Sequence, residues 1–454
     1  MQSSTDKRYG LSTAECRELS RKILGFAKAD QTRIYIASGE RGFTRTAMNR
    51  VATAGSSDNV NVRITSVFGK RLASVDTNRL DDVSLERSVR DCEALAKISP
   101  ENPEYLPELG EQKYTPVDGY YVSTGGLTTE ARARAASLAI KAAVDAKSVA
   151  SGFIEVRAGS EAVANSKDLF GYYSGTGVAS TLTVRTADGL ASGWAGDEGA
   201  DWNTIESERV AQDAVRKCQQ WHGRTALDPG KYDVILEPTA AGMLMLRMMF
   251  VFDARAADEG RSFFAKRGGG NRLGEKLFDE RITIVSDPAE KNTEARPFDD
   301  AGEPVQREVW VDKGVLKALS YSRFWAEKQH VAPRLRPSNF IMSGSDASVD
   351  DMIKATKRGV LITRFWYIRP LNPRIISFTG LTRDGAFLIE NGKIARPVTN
   401  FRFNQSLTEL LANVEMLGRP TRVCANEDGS FGPPVVVPAM KVRGFNLASV
   451  SDAI

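Results

Sequence analysis

Histidine is nearly missing from this chain: 454 residues contain two, His222 and His330. General acid–base chemistry near neutral pH and zinc ligation both lean on imidazole, so the chain is poorly stocked for either. The four cysteines, Cys16, Cys92, Cys218 and Cys424, lie far apart and form no Cys-x-x-Cys pair. That spacing excludes a disulfide framework and a thiolate zinc site, and it fits a reducing compartment. An excess of one charge is missing too. Lys+Arg 61 against Asp+Glu 57 leaves +4, whereas a nucleic-acid or membrane-surface binder carries a concentrated basic excess. No long apolar run is present. The most apolar stretch, 240–252, is too short to span a bilayer and carries Arg247. The first thirty residues hold Asp6, Lys7, Arg8, Glu15, Arg17, Glu18 and Arg21 and offer no apolar core for a signal peptide. A cytoplasmic protein with no membrane and no nucleic-acid partner is expected.

What is present is ordinary for a globular chain, 42% hydrophobic and 26% charged, too apolar for disorder. The length predicts two or three domains. Apolar spacing predicts helices at 12–29, 80–98, 129–148 and 204–221. Strands are expected at 33–38, 43–51 and 60–67, then near 152–158, 161–166, 178–186 and 190–195. The region 99–127, with Pro100, Pro103, Pro107 and Pro116, reads as a long surface connection, and Asp228-Pro-Gly230 as a turn near a domain boundary. Beyond it, 231–236 reads as a buried strand running into an apolar helix, followed mostly by strand and loop. Hairpins are expected at Asp312-Lys-Gly314 and at Asn391-Gly392. The expected fold class is α+β. A mixed α/β domain over 1–225 precedes a β-rich, barrel-like domain over 226–454 with one buried central helix.

Several segments are candidates for chemistry. The helix expected over 238–259 is apolar all round to residue 252 except for Arg247, then turns charged with Asp253, Asp258 and Glu259. Carboxylates at such an end bind metal or move protons if they face a cleft, but a solvated last turn is the plainer reading. Lys266-Arg-Gly-Gly-Gly-Asn-Arg272 lacks the Gly-Lys-Ser/Thr ending of a phosphate loop and reads as a flexible loop. The strand 360–369 places an arginine and an aromatic on each face by alternation. Val360, Ile362, Arg364, Trp366 and Ile368 share one side; Leu361, Thr363, Phe365, Tyr367 and Arg369 share the other. Arginine beside aromatics grips RNA or a peptide's carboxylate and carbonyls, or simply packs as a salt-bridged core. His222 reads as a helix-end residue, and Cys424 as a lone thiol without a histidine mate.

The longest motifs carry a resemblance. Gly359-Val-Leu-Ile-Thr-Arg-Phe-Trp-Tyr-Ile-Arg369, Thr379-Gly-Leu-Thr-Arg-Asp-Gly385, Phe387-Leu-Ile-Glu-Asn-Gly-Lys-Ile394 and Phe445-Asn-Leu-Ala-Ser-Val-Ser-Asp-Ala-Ile454 together resemble the TldD/PmbA (TldE) family. Thr44-Arg-Thr-Ala-Met-Asn-Arg50 is similar to that family's early strand. The resemblance implies two domains, dimers around a central cavity, and peptide cleavage. In the TldD-type subunit it implies a helix carrying His-Glu-x-x-x-His, with a C-terminal cysteine completing a zinc site; the TldE (PmbA) subunit lacks that motif and pairs with TldD.

This chain departs from the zinc pattern. No histidine lies between His222 and His330, so no register of the 238–259 helix supplies the imidazoles. Cys424, in Arg422-Val-Cys-Ala-Asn426, resembles the neighbourhood of the third ligand, and one thiolate leaves zinc underligated. The expectation is a TldE-like, zinc-free subunit of a TldD/TldE-type peptidase, with no cofactor of its own. Zinc is expected only in a TldD-like partner, as a heterodimer, with a homodimer as the other arrangement. Arg364, Tyr367, Arg369 and Arg383 are the expected peptide contacts. The alternative is a hydrolase active alone through Cys424 or the Asp253/Asp258/Glu259 group. A regulator of a DNA enzyme, the class behind the family's older naming as a gyrase modulator, is disfavoured by the near-neutral charge.

Overall fold

The computed structural model describes residues 9–452. Asp6, Lys7, Arg8 and the last two residues of the terminal motif lie outside them. The N-terminal half is built on one antiparallel sheet of six strands. In space their order is Arg71–Thr77, Arg50–Phe68, Gln31–Ala47, Ser148–Asn165, Phe170–Thr186, Ser192–Gly199. These strands are longer than the sequence predicts. The segments expected as separate strands at 33–38 and 43–51 are one strand, which reverses at Met48 and Asn49, both with positive φ (52° and 60°). Gly39, between the two expected strands, sits inside the single long one. A Cβ there would lie 2.3 Å from the Ala158 carbonyl oxygen on the neighbouring strand. Its glycine serves close backbone approach, not chain reversal.

Helices cover this sheet where their apolar stripes predict. Thr13–Phe26 starts at a capping box between Ser12 and Glu15. With Asp82–Ile98 it buries Cys16, Ile23, Leu85, Val89 and Cys92 against Ile34, Ile36, Val62 and Ile64. Helix Ser207–Trp221 buries Val210, Ala214 and Trp221 in a cluster that also holds Ile235, Leu361, Phe387 and Ile389 from the C-terminal half. One apolar core therefore runs across both halves, and the Trp221 indole N–H donates to the Val398 carbonyl at 2.9 Å.

In the C-terminal half, Arg358–Asn372, Gly230–Leu236, Met440–Ser451, Asn400–Ser406 and Ser377–Glu390 pair in that order, and the last pairs back with the first. The result is a ring-like sheet, not a complete barrel. A second sheet is built from six short strands, among them Thr421–Arg422 and Val435–Val437. Both expected hairpins are present, with positive φ at Lys313 and Gly314 and at Asn391 and Gly392.

The central helix is buried as expected but shorter. It runs Pro238–Met248, and a separate five-residue helix, Ala254–Asp258, follows with Asp253 as its cap. Gly242 lets the second sheet approach, since a Cβ there would lie 2.4 Å from Val423 Cγ2. Among the described residues no helix is long and apolar enough to cross a membrane.

Candidate functional site

The strand Arg358–Asn372 does not alternate as its sequence predicts. Its register against Ser377–Glu390 shifts between Ile362 and Arg364 and again between Trp366 and Arg369. Each bulge reverses the parity of the faces. Val360, Ile362, Phe365 and Ile368 therefore all enter the core, although alternation divides them between two faces. Phe365 packs on Phe403 at 4.6 Å between ring centres and on Phe445 at 5.9 Å. Tyr367 takes φ of 55° at the second bulge and stands 51% exposed.

At the first shift the extra residue lies on the opposite strand, where Asp384 and Gly385 take φ of 56° and 142°. This local distortion aims the Asp384 carboxylate at Arg364. Arg364 Nη1 donates to Asp384 Oδ2 at 3.2 Å, and the residues are 3% and 1% exposed. Asp384 Oδ1 accepts from Ser192 Oγ at 2.6 Å, and the Arg364 guanidinium lies 4.4 Å from the Trp194 ring centre. Ser192 and Trp194 belong to the last strand of the N-terminal sheet, so this pair joins the two halves. Arg383 flanks it, 3.8 Å from Asp384 and stacked 4.9 Å over Trp366.

Beside this pair lies a second charge cluster, centred on Glu427. Its Oε1 accepts from Arg247 Nη2 at 2.5 Å, the Ile368 backbone N–H at 3.0 Å and Arg369 Nη1 at 3.4 Å. Its backbone carbonyl accepts from Arg364 Nη2 at 2.7 Å. Arg369 also stacks 4.1 Å over the Tyr367 ring. The four arginine and tyrosine positions singled out from the sequence thus adjoin one another but differ in access. Arg364 is buried, Arg383 mostly so, and Tyr367 and Arg369 reach solvent. Asp384, Glu427 and Trp194 were not legible as site residues. The signal for Glu427's partner was there, because Arg247 is the one charge in the apolar run 240–252.

Cys424 is 2% exposed, and burial pushes its thiol well above the ordinary range, with Glu198 and Asp197 adding to the effect. Glu198 beside it is pushed up to about 7, chiefly by burial, against the opposing pull of Arg422 at 3.5 Å. Neither histidine is near a thiol partner role: His222 and His330 are exposed and take the C-cap positions of two helices. The group Asp253, Asp258 and Glu259 is not assembled. Asp253 caps its helix and pairs with Arg336 at 3.1 Å; Asp258 accepts from Asn271 and the Trp325 indole, both at 2.8 Å; Glu259 pairs with Arg255 and Arg261. Asp253 stands at the start of the short helix Ala254–Asp258, and Asp258 and Glu259 stand at its end. Among the described residues no three His, Cys, Asp or Glu are grouped to hold a metal ion. The residues do not fit zinc: burial favours the neutral thiol of Cys424, and the one charged side chain on the buried helix Pro238–Met248 is a cation, Arg247.

A sequence model of the PmbA/TldA metallopeptidase C-terminal domain matches residues 229–449. A metalloprotease of Methanothermobacter thermautotrophicus is 26% identical over 235 residues, which cover 47% of this chain and 49% of the relative. One of Archaeoglobus fulgidus is 29% identical over 188 residues, 36% of this chain and 43% of the relative. The matched stretch thus spans about half the length of these curated relatives. TldE from Thermococcus kodakarensis has the same fold, with a TM-score of 0.83 at 18% identity over 95% of this chain and 99% of that one. Residues 229–449 of the chain thus belong to the TldD/PmbA metallopeptidase family, and nearly the whole chain has the fold seen in TldE.

Proposed function

We propose that the chain is a zinc-free, TldE-like subunit of a TldD/TldE-type peptidase that processes or degrades peptides in the cytoplasm. The observation that carries this reading is the scarcity of histidine, with none on the buried helix and both copies spent at exposed helix ends. In the proposed pair, hydrolysis comes from the metal-activated water of a zinc-bearing TldD-like partner. This chain completes the dimer, walls the cavity and helps hold an extended peptide through backbone pairing, which tolerates varied sequences. Tyr367 and Arg369 are the proposed direct contacts, because they reach solvent. Arg364 and Arg383 are proposed to support them by fixing the bulged strand.

The test is peptide hydrolysis by the isolated chain, by the partner, and by the two mixed. Turnover by the mixture alone is expected, with Arg369→Ala and Tyr367→Ala raising KM while the complex still forms. Turnover by the isolated chain, abolished by Cys424→Ser, would refute the reading. The buried thiol and dispersed carboxylates give that alternative no support.

A further inference from the structure

We infer that Arg247, Arg369 and the Ile368 backbone N–H form a binding site for a peptide carboxylate, which the chain's own Glu427 occupies. The inference rests on the reading that an extended peptide lies along this face. Two guanidinium groups and one backbone N–H converging on a single oxygen is a carboxylate-recognition arrangement, since charge-assisted donors are both shorter and stronger than neutral ones. The N–H is free for this purpose because of the second bulge. Pairing skips from Trp366 to Arg369, with Tyr367 left-handed between them, so Ile368 has no partner in that ladder.

Charge points the same way. Arg247, Arg364, Arg369 and Arg383 surround two carboxylates, Asp384 and Glu427. Four cations against two anions in a largely buried setting require that a carboxylate displaced from here be replaced by another, because an uncompensated charge away from water is costly. Arg247 Nε and Arg364 Nε are buried with no hydrogen-bond partner. Asp384 is committed to Ser192 and Arg364, so Glu427 is the carboxylate that a ligand would displace.

Glu427 is also placed to yield. It lies on the irregular segment 425–434, which makes no sheet ladder and contains Gly429 at φ of 73° and Gly432. That segment touches the N-terminal sheet through Phe431 under Arg157, at 5.0 Å, while Arg369 remains half exposed. A tethered carboxylate competes at an effective concentration of roughly millimolar. Glu427 thereby screens out weak anions and admits a carboxylate delivered by a peptide already held along its backbone.

Two sources supply this chemistry, a peptide's C-terminus or an acidic side chain. The test measures affinity of the full chain for three pools of ten-residue peptides of matched random composition. One ends in a free carboxylate without internal acids, one is its C-terminal amide, and one is amidated with a single internal Asp. The free-acid pool is expected to bind at least tenfold tighter than the amide. Glu427→Gln is expected to tighten the free-acid pool about tenfold further and leave the amide unchanged. An internal-Asp pool matching the free acid assigns the site to any carboxylate; one matching the amide assigns it to the C-terminus. Equal binding of free acid and amide by both proteins overturns the carboxylate site while sparing the peptide-binding reading. Absence of binding by every pool overturns both.

Discussion

Replacing Asp384 with Asn removes the charge that compensates Arg364 while keeping the side chain's size. Arg364 is 3% exposed and Asp384 1%, with 3.2 Å between Nη1 and Oδ2. Breaking such a pair from one side leaves a buried charge stranded, a loss of about 3–5 kcal/mol. The same carboxylate accepts the Ser192 hydroxyl across the two halves at 2.6 Å, so the loss is felt in both. The cation–π contact of Arg364 with Trp194 survives and offsets little, on the order of 1–2 kcal/mol in any state. Urea unfolding at pH 7, followed by far-ultraviolet circular dichroism, reads the change as a lower midpoint at unchanged slope. Removing both charges together, as Arg364→Met with Asp384→Leu, is expected to cost less than Asp384→Asn alone, because no charge is left behind. A loss below about 1 kcal/mol for Asp384→Asn, or a double variant as unstable as the two single losses added, would refute the reasoning.

Two further outcomes follow from the buried cluster at Cys424. Glu198 has its pKa raised from 4.5 to about 7, so between those values the folded chain holds a proton that the unfolded chain releases. Stability therefore falls as pH rises from about 4.5 to 7, by up to ~3 kcal/mol, and levels off above. Glu198→Gln is expected to flatten that part of the profile of unfolding midpoint against pH; an unchanged slope would show that Glu198 ionises normally. All four cysteines are buried, so the folded chain is expected to react with a thiol reagent only as fast as it opens. One equivalent of fast reaction, lost in Cys424→Ser, would contradict the inert environment assigned to that thiol.

The elements that were legible in the sequence are those set by local chemistry. The Asn391-Gly392 and Lys313-Gly314 turns demand left-handed backbone, and the amphipathic stripes of Asp82–Ile98 and Ser207–Trp221 demand a core on one side. Strand lengths in the N-terminal sheet were not, because glycines such as Gly39 carry the same letter whether they turn a chain or admit a neighbour. The site was half legible. Arg364, Tyr367, Arg369 and Arg383 share one short motif pair, but their exposure depends on two bulges that reverse the strand's faces. Glu427 meets Arg247 across 180 positions of sequence, and no local pattern announces a contact of that range.

The central claim is that this chain supports catalysis without holding the metal. Its most direct test is to isolate the tagged chain from its own cells, measure the intact mass of the complex, and assign its zinc to a subunit. The account predicts a one-to-one complex with a second chain bearing His-Glu-x-x-x-His, and zinc on that chain alone. A species of twice this chain's own mass, with no second protein and with bound zinc, would contradict it.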